Sequence, residues 1–206
     1  MFESIDNIHI LTEKDFTQDD LKLLDQRDFD FCKDFHESRK EEYLISRTLV
    51  QKIFKRLDIS HSFLDKGARK EPIWPNGING SISHSKGCVM VVVSKEHASI
   101  GLDIEHKHRV SEKLYHKLFS EKEVQIIKDN GSVFADILFS AKEAFYKMQY
   151  PITKQYLDFL DVELDLIDNQ LQISYVSDVV IKLDSIQPIL IEEDGDLVGC
   201  LSLGDL

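Results

Sequence analysis

Apolar residues at helical spacing mark the first strong element. Tyr43, Val50, Ile53, Phe54 and Leu57 recur along one face of 38–57, which predicts an amphipathic helix. The stretch 67–80 then breaks the pattern. It holds Pro72, Pro75 and three glycines, so it reads as loop. Residues 81–83 and 88–94 (CVMVVVS) read as strands with Lys86-Gly87 as the turn, and 99–104 is a further strand. Helical patterning returns over 111–119 and 120–129. A third helix is capped by Ser132, carries Phe134, Ile137, Leu138, Ala141, Phe145 and Met148, and is expected to stop before Pro151. Strands are predicted over 157–166, 170–176, 186–193 and 197–203, with turns at Asp168-Asn169 and Asp194-Gly195. Helix, strands, helices, strands is an α+β order. It divides into two lobes, 1–98 and 99–206, each a small antiparallel sheet packed with helices.

Composition narrows the function classes. The chain has 206 residues and a formal charge of −12, which argues against nucleic-acid binding through bulk charge. Basic residues are instead concentrated: Arg39, Lys40, Arg47, Lys52, Lys55 and Arg56 fall in one stretch, followed by Arg69 and Lys70. The cysteines Cys32, Cys88 and Cys200 show no CxxC spacing and indicate neither a disulfide framework nor zinc. No apolar run is long enough for a membrane span, and the N-terminal residues lack the pattern of a signal peptide. The expected location is the cytoplasm.

The chemistry concentrates in GLDIE at 101–105 and FSAKEAFYK at 139–147. Strand alternation puts Asp103 and Glu105 on one face about 7 Å apart. Helical spacing puts Glu143 and Lys147 on one face, where the plain reading is an i,i+4 ion pair. Carboxylates alone suit a hard cation such as Mg²⁺, with Mn²⁺ as a substitute, better than Zn²⁺. A metal beside a lysine is a recurrent way to hold a pyrophosphate. Glu123 has two competing readings: a group near the metal, or the second half of a capping box begun by Ser120. Trp74 reads as a packing anchor for its Pro-rich loop, and His106 and His108 as surface residues.

SISHS at 81–85, GLDIE and FSAKEAFYK, in that order, together resemble the 4′-phosphopantetheinyl transferases. The match is to the two-lobed branch, within it to the type that serves siderophore synthesis. It covers roughly 36–165 and includes RKEEYLISR at 39–47 and QYLDFLDVEL at 155–164. The resemblance implies a pseudo-two-fold pair of similar lobes acting as a monomer. It implies transfer of 4′-phosphopantetheine from coenzyme A to a serine of an apo acyl, peptidyl or aryl carrier protein, releasing 3′,5′-ADP.

By the same resemblance Asp103, Glu105 and Glu143 are metal ligands, and Lys147 reaches the pyrophosphate. Ser83 and His84 bind coenzyme A phosphates. Arg47, with Arg39 and Lys40, surrounds the 3′-phosphate. Lys70 is the basic residue preceding the SHS strand, although Glu71 stands where the commonest family form has lysine. Glu143 is the first choice of general base, ahead of Glu123 and Asp103. Lys142 is a candidate contact to phosphate or to the carrier serine, or a support for the acidic cluster. Leu114, Tyr115 and Leu118 are expected to form a small apolar contact for the carrier. A metal-dependent phosphohydrolase of coenzyme A or nucleotides and a carrier-binding module are the rival readings.

Overall fold

A computed structural model describes residues 2, 5–61, 63–177 and 186–204. The chain forms two compact units, Phe2–Glu96 and His97–Leu206.

In the first unit, strand β1 (Ile8–Thr12) leads through two 3₁₀ turns to helices α1 (Gln26–Cys32) and α2 (Glu37–Arg56). Strands β2 (Asn79–Ser85) and β3 (Cys88–Ser94) complete an antiparallel sheet in the order β1-β3-β2. β3 is central, and its Val89, Val91 and Val93 pack with Leu49, Val50, Ile53 and Phe54 of α2. Lys86 and Gly87 turn the β2–β3 hairpin with φ of 46° and 90°, as the sequence predicts. Trp74 joins this core and packs directly over Gly80. A Cβ there would meet the Trp74 ring at 2.7 Å, so the glycine makes room for the anchor.

The second unit runs through β4 (Ser99–His106), α3 (Tyr115–Leu118), α4 (Glu121–Asn130) and α5 (Val133–Thr153). β5 (Val162–Ile167), β6 (Gln170–Val176), β7 (Leu190–Asp194) and β8 (Leu197–Gly204) follow. Its main sheet has the antiparallel order β4-β8-β7, and β5-β6 is a separate hairpin. Each unit therefore pairs a small antiparallel sheet with one long helix, as expected of an α+β chain. The apolar face of α5 (Ala135, Leu138, Ala141, Ala144) is fully buried.

Two expectations are corrected. α5 does not stop before Pro151 but runs through it to Thr153. The proline withholds a single N–H near the helix end. Lys154, left-handed at φ 57°, donates to Tyr150 O at 2.9 Å and closes the last turn. The strand expected from 157 begins at Val162, because Asp158 accepts from Phe159 N at 2.8 Å and starts a 3₁₀ turn. Among the described residues no helix is long and apolar enough to cross a membrane.

Candidate functional site

Gly101 sets the geometry of the second unit's acidic site. A Cβ at this position would lie 1.9 Å from the Ala144 carbonyl oxygen and 2.6 Å from the Met148 amide. Only glycine lets the α5 backbone rest on β4 this closely. The contact brings Glu143 and Lys147, which flank Ala144 on α5, to Asp103. Lys147 Nζ donates to Asp103 Oδ1 at 2.7 Å and to the Leu102 carbonyl at 3.1 Å. Asp103 and Glu105 are 5% and 6% exposed. Burial raises the Glu143 carboxyl above the ordinary range; Lys147 opposes this, and the Asp103 charge adds to it.

Arg109, which the motif reading passed over, forms an ion pair with Glu105. Its backbone is fixed from α5: the Asp136 carboxylate, 1% exposed, accepts from the amides of His108, Arg109 and Val110 at 2.8, 2.9 and 2.8 Å. The signal was available as an arginine four residues beyond an acid, but sequence does not show that a buried aspartate on another element clips the intervening turn. His106 pairs with Asp196 at 2.9 Å, and His108 is an exposed turn residue at φ 61°.

The donor set suits a hard divalent cation in its chemistry: carboxylate oxygens only, two of the three side chains buried, and Asp103 within electrostatic reach of Glu143. As they stand, no three His, Cys, Asp or Glu side chains among the described residues are gathered to hold a metal ion. Lys147 and Arg109 lie on the Asp103 and Glu105 oxygens instead.

Glu123 and Lys142 form a separate buried clamp, which fits the capping reading of the one and a supporting role for the other. Glu123 is 0% exposed and completes the capping box: Ser120 N donates to its Oε2 at 2.8 Å, and its own amide donates to Ser120 Oγ at 3.3 Å. Its other oxygen accepts from Leu164 N at 3.0 Å. Lys142 Nζ donates to Glu123 Oε2, Leu118 O and Phe159 O at 2.7, 2.9 and 2.8 Å. All three ammonium hydrogens of Lys142 are thus used, and three of the roughly four acceptor positions of the Glu123 carboxylate are taken. Burial pushes the Lys142 ammonium down, against the pull of Glu123. A small cavity lies beside the clamp, lined by Glu143, Tyr146, Tyr156, Leu157, Asp158, Phe159 and Val162 in addition to Lys142. Of the apolar residues expected to meet a carrier, Leu114 is 44% exposed, whereas Tyr115 and Leu118 pack partly against the core.

In the first unit a stripe of cations and aromatic rings runs along α2. Arg47 is 5% exposed, its guanidinium 5.0 Å from the Tyr43 ring centre, and its Nε and Nη1 have no hydrogen-bond partner. Tyr43 stacks on Phe31, and its hydroxyl donates to Asp28 at 3.0 Å. Lys66, absent from the sequence-level reading, places Nζ 3.2 Å from the Phe31 ring centre and 4.4 Å from that of Tyr43. Burial, and then Arg47 and Arg39, bring its pKa down to about 7. Arg39 touches the His84 ring, and Glu42 bridges the two at 3.6 and 3.1 Å.

Not every expected residue joins this stripe. Strand alternation buries Ser83 on the face of β2 opposite the half-exposed His84. Lys40 lines a groove with Phe16, Leu21 and Leu44, apart from the Arg39–Tyr43–Arg47 row. Lys70 sits at φ 69° in the tight 66–72 turn, within electrostatic reach of Lys66. Glu71 is explained by the turn itself: its carboxylate accepts from Arg69 N at 2.9 Å.

Comparison with known proteins agrees with both halves. Residues 30–94 match the 4′-phosphopantetheinyl transferase N-terminal domain, and 99–185 match the 4′-phosphopantetheinyl transferase superfamily. The chain is 29% identical over 132 residues to the 4′-phosphopantetheinyl transferase Npt of Nocardia iowensis, covering 62% of this chain and 60% of that protein. It is 30% identical over 131 residues to PptT, the 4′-phosphopantetheinyl transferase of Mycobacterium tuberculosis, covering 61% and 58%. Against enterobactin synthase component D of Salmonella typhi it is 30% identical over 115 residues, covering 53% and 47%. The chain thus spans 60% or less of the length of each of these relatives. The two family matches together take up most of the sequence, and the chain belongs to the 4′-phosphopantetheinyl transferase superfamily.

Proposed function

We propose that this protein transfers 4′-phosphopantetheine from coenzyme A to a serine of an apo carrier protein. The observation that carries the reading is the packing of α5 on β4 at Gly101, which sets Glu143 and Lys147 beside Asp103. Glu143 acts as the general base. Its half-buried carboxyl, raised above the usual range, is a stronger base than a surface glutamate and takes the serine proton. The serine oxygen bonds to the β-phosphorus, the bond from that phosphorus to the bridging pyrophosphate oxygen breaks, and 3′,5′-ADP leaves with the electron pair. Lys147 supplies positive charge to the departing phosphate. Asp103, Glu105 and Glu143 would hold Mg²⁺, which supplies neutralisation of pyrophosphate charge when bound.

In the first unit, Arg47, Arg39 and Lys66 offer their cationic groups to the 3′-phosphate. Arginine forks match phosphate oxygens well, and Arg47 has two nitrogens to spare. The likeness to enterobactin synthase component D supports a carrier of siderophore or other nonribosomal peptide synthesis.

The test is one incubation of the protein, Mg²⁺, coenzyme A and an apo carrier domain, followed by mass spectrometry. The carrier should gain one phosphopantetheine group, and 3′,5′-ADP should appear in equal amount. Hydrolysis of coenzyme A with no carrier present would show a phosphohydrolase instead. No change in either molecule would leave a binding module.

A further inference from the structure

Arg109 has no role in the chemistry above, yet it is among the most deliberately placed side chains of the second unit. A half-exposed arginine paired with an acid four residues away is ordinarily worth little. Two features set this pair apart. Glu105 is buried, with 7% of its side chain exposed, and a buried carboxylate needs a counter-charge. The Asp136 carboxylate also binds three consecutive amides of the 108–110 turn and so fixes the point from which Arg109 reaches back. The guanidinium lies 5.7 Å from the Phe139 ring centre and pulls on the Glu143 carboxyl as well.

Charge balance then gives the pair a meaning. Among the described ion pairs, Asp103, Glu105 and Glu143 face two cations, Lys147 and Arg109, which leaves one negative charge in excess within this set when all are ionised. A divalent ion added to this set overshoots; loss of one cation restores neutrality. Lys147 is held by both Asp103 and the Leu102 carbonyl and is 28% exposed. The Arg109 side chain is 50% exposed, and beyond the Glu105 pair it has only the distant Phe139 ring and the pull of Glu143 among the described contacts, so it is the one that leaves at least cost.

We infer that Arg109 is a built-in counter-ion of Glu105 that must be displaced before a divalent cation binds, so that cation binding stays weak until a polyphosphate arrives to receive the freed guanidinium. The inference rests on the metal reading above. It makes Arg109 a positioning residue that couples the two ligands: each favours the other because both favour the displaced arginine.

The experiment is Mn²⁺ binding to the intact protein without coenzyme A, followed by the loss of the free-ion paramagnetic resonance signal. Asp103→Asn serves as the control that subtracts adventitious binding to an acidic surface. Arg109→Gln should bind Mn²⁺ roughly tenfold tighter than the unsubstituted protein, since a competing charge beside a half-buried site is removed. Inorganic pyrophosphate should tighten Mn²⁺ binding in the unsubstituted protein and do so far less in Arg109→Gln. Equal or weaker Mn²⁺ binding by a normally melting Arg109→Gln protein, with Asp103-dependent binding intact, overturns the inference and leaves the metal reading standing. Mn²⁺ binding unaffected by Asp103→Asn overturns both.

Discussion

The two units handle charge in opposite ways. In Phe2–Glu96, the cations of the α2 stripe are left underused: Arg47 keeps two unpartnered nitrogens, and Lys66 rests on aromatic faces, with Asp28 in electrostatic reach. In His97–Leu206, Asp103 and Glu105 are already covered by Lys147 and Arg109. The first arrangement is ready to receive an anion and stores the cost as desolvated positive charge. The second is neutralised in advance and has to exchange partners to work. On the function proposed above, an acidic protein thereby offers a polyanion local positive charge without relying on its overall charge.

The largest effect should come from breaking the neutralised side. Asp103→Asn keeps the size of the side chain but removes its charge, and transfer should fall by about a thousandfold or more in a carrier-labelling assay. Near-normal turnover in that variant, or in excess chelator, would mean that the paired acids are only structural. The buried clamp should behave differently. Lys142→Met strands the Glu123 charge and should cost about 3–5 kcal/mol in chemical denaturation. Unchanged stability with lost activity would restore Lys142 to the catalytic set.

Smaller effects are expected where cations wait for a ligand. Arg47→Ala should raise KM for coenzyme A by roughly tenfold and spare kcat, because a distal phosphate contact is the same in ground and transition states. With 3′-dephospho-coenzyme A the difference should nearly vanish; an equal loss for both substrates would remove Arg47 from the 3′-phosphate. Lys66 sharpens the comparison further. Its pKa, brought from 10.5 to about 7, leaves it cationic below that pH and neutral above. Coenzyme A affinity should therefore weaken by a few-fold as pH rises through about 7, and Lys66→Arg should flatten the profile. The sign for stability is reversed. Between about 7 and 10.5 the unfolded chain holds a proton that the native state has released, so this group makes the fold more stable as pH rises.

The main elements were legible where one physical cause dominates. The α2 periodicity, the Lys86-Gly87 turn and the position of Trp74 follow from local pattern, and the structure agrees. So does the capping half of Glu123, because a capping box is written within four consecutive residues. What could not be read depends on contacts distant in sequence. On its sequence Lys142 stays open between phosphate, the carrier serine and support of the acidic cluster, because its three acceptors lie far along the chain on Leu118, Glu123 and Phe159. Arg109 and Lys66 carry no motif and matter only through Asp136 and through Phe31 and Tyr43. Lys40 and Arg39 are neighbours in sequence, yet one residue of helix rotation sends them to different surroundings.

The Lys142–Glu123 clamp has a further consequence for how this sequence can drift. Either partner alone is a poor place to change, since its loss leaves a buried charge and empties hydrogen bonds that reach three other segments. Replacing both with apolar residues of similar bulk removes the stranded charge but leaves the carbonyls of Leu118 and Phe159 and the amide of Leu164 to be satisfied. The two positions should therefore show strong epistasis: a double substitution should cost less than the two single costs combined, while remaining less stable than the parent. Libraries that randomise the KEAFYK helix one residue at a time would score Lys142 as indispensable and mistake a folding interlock for chemistry.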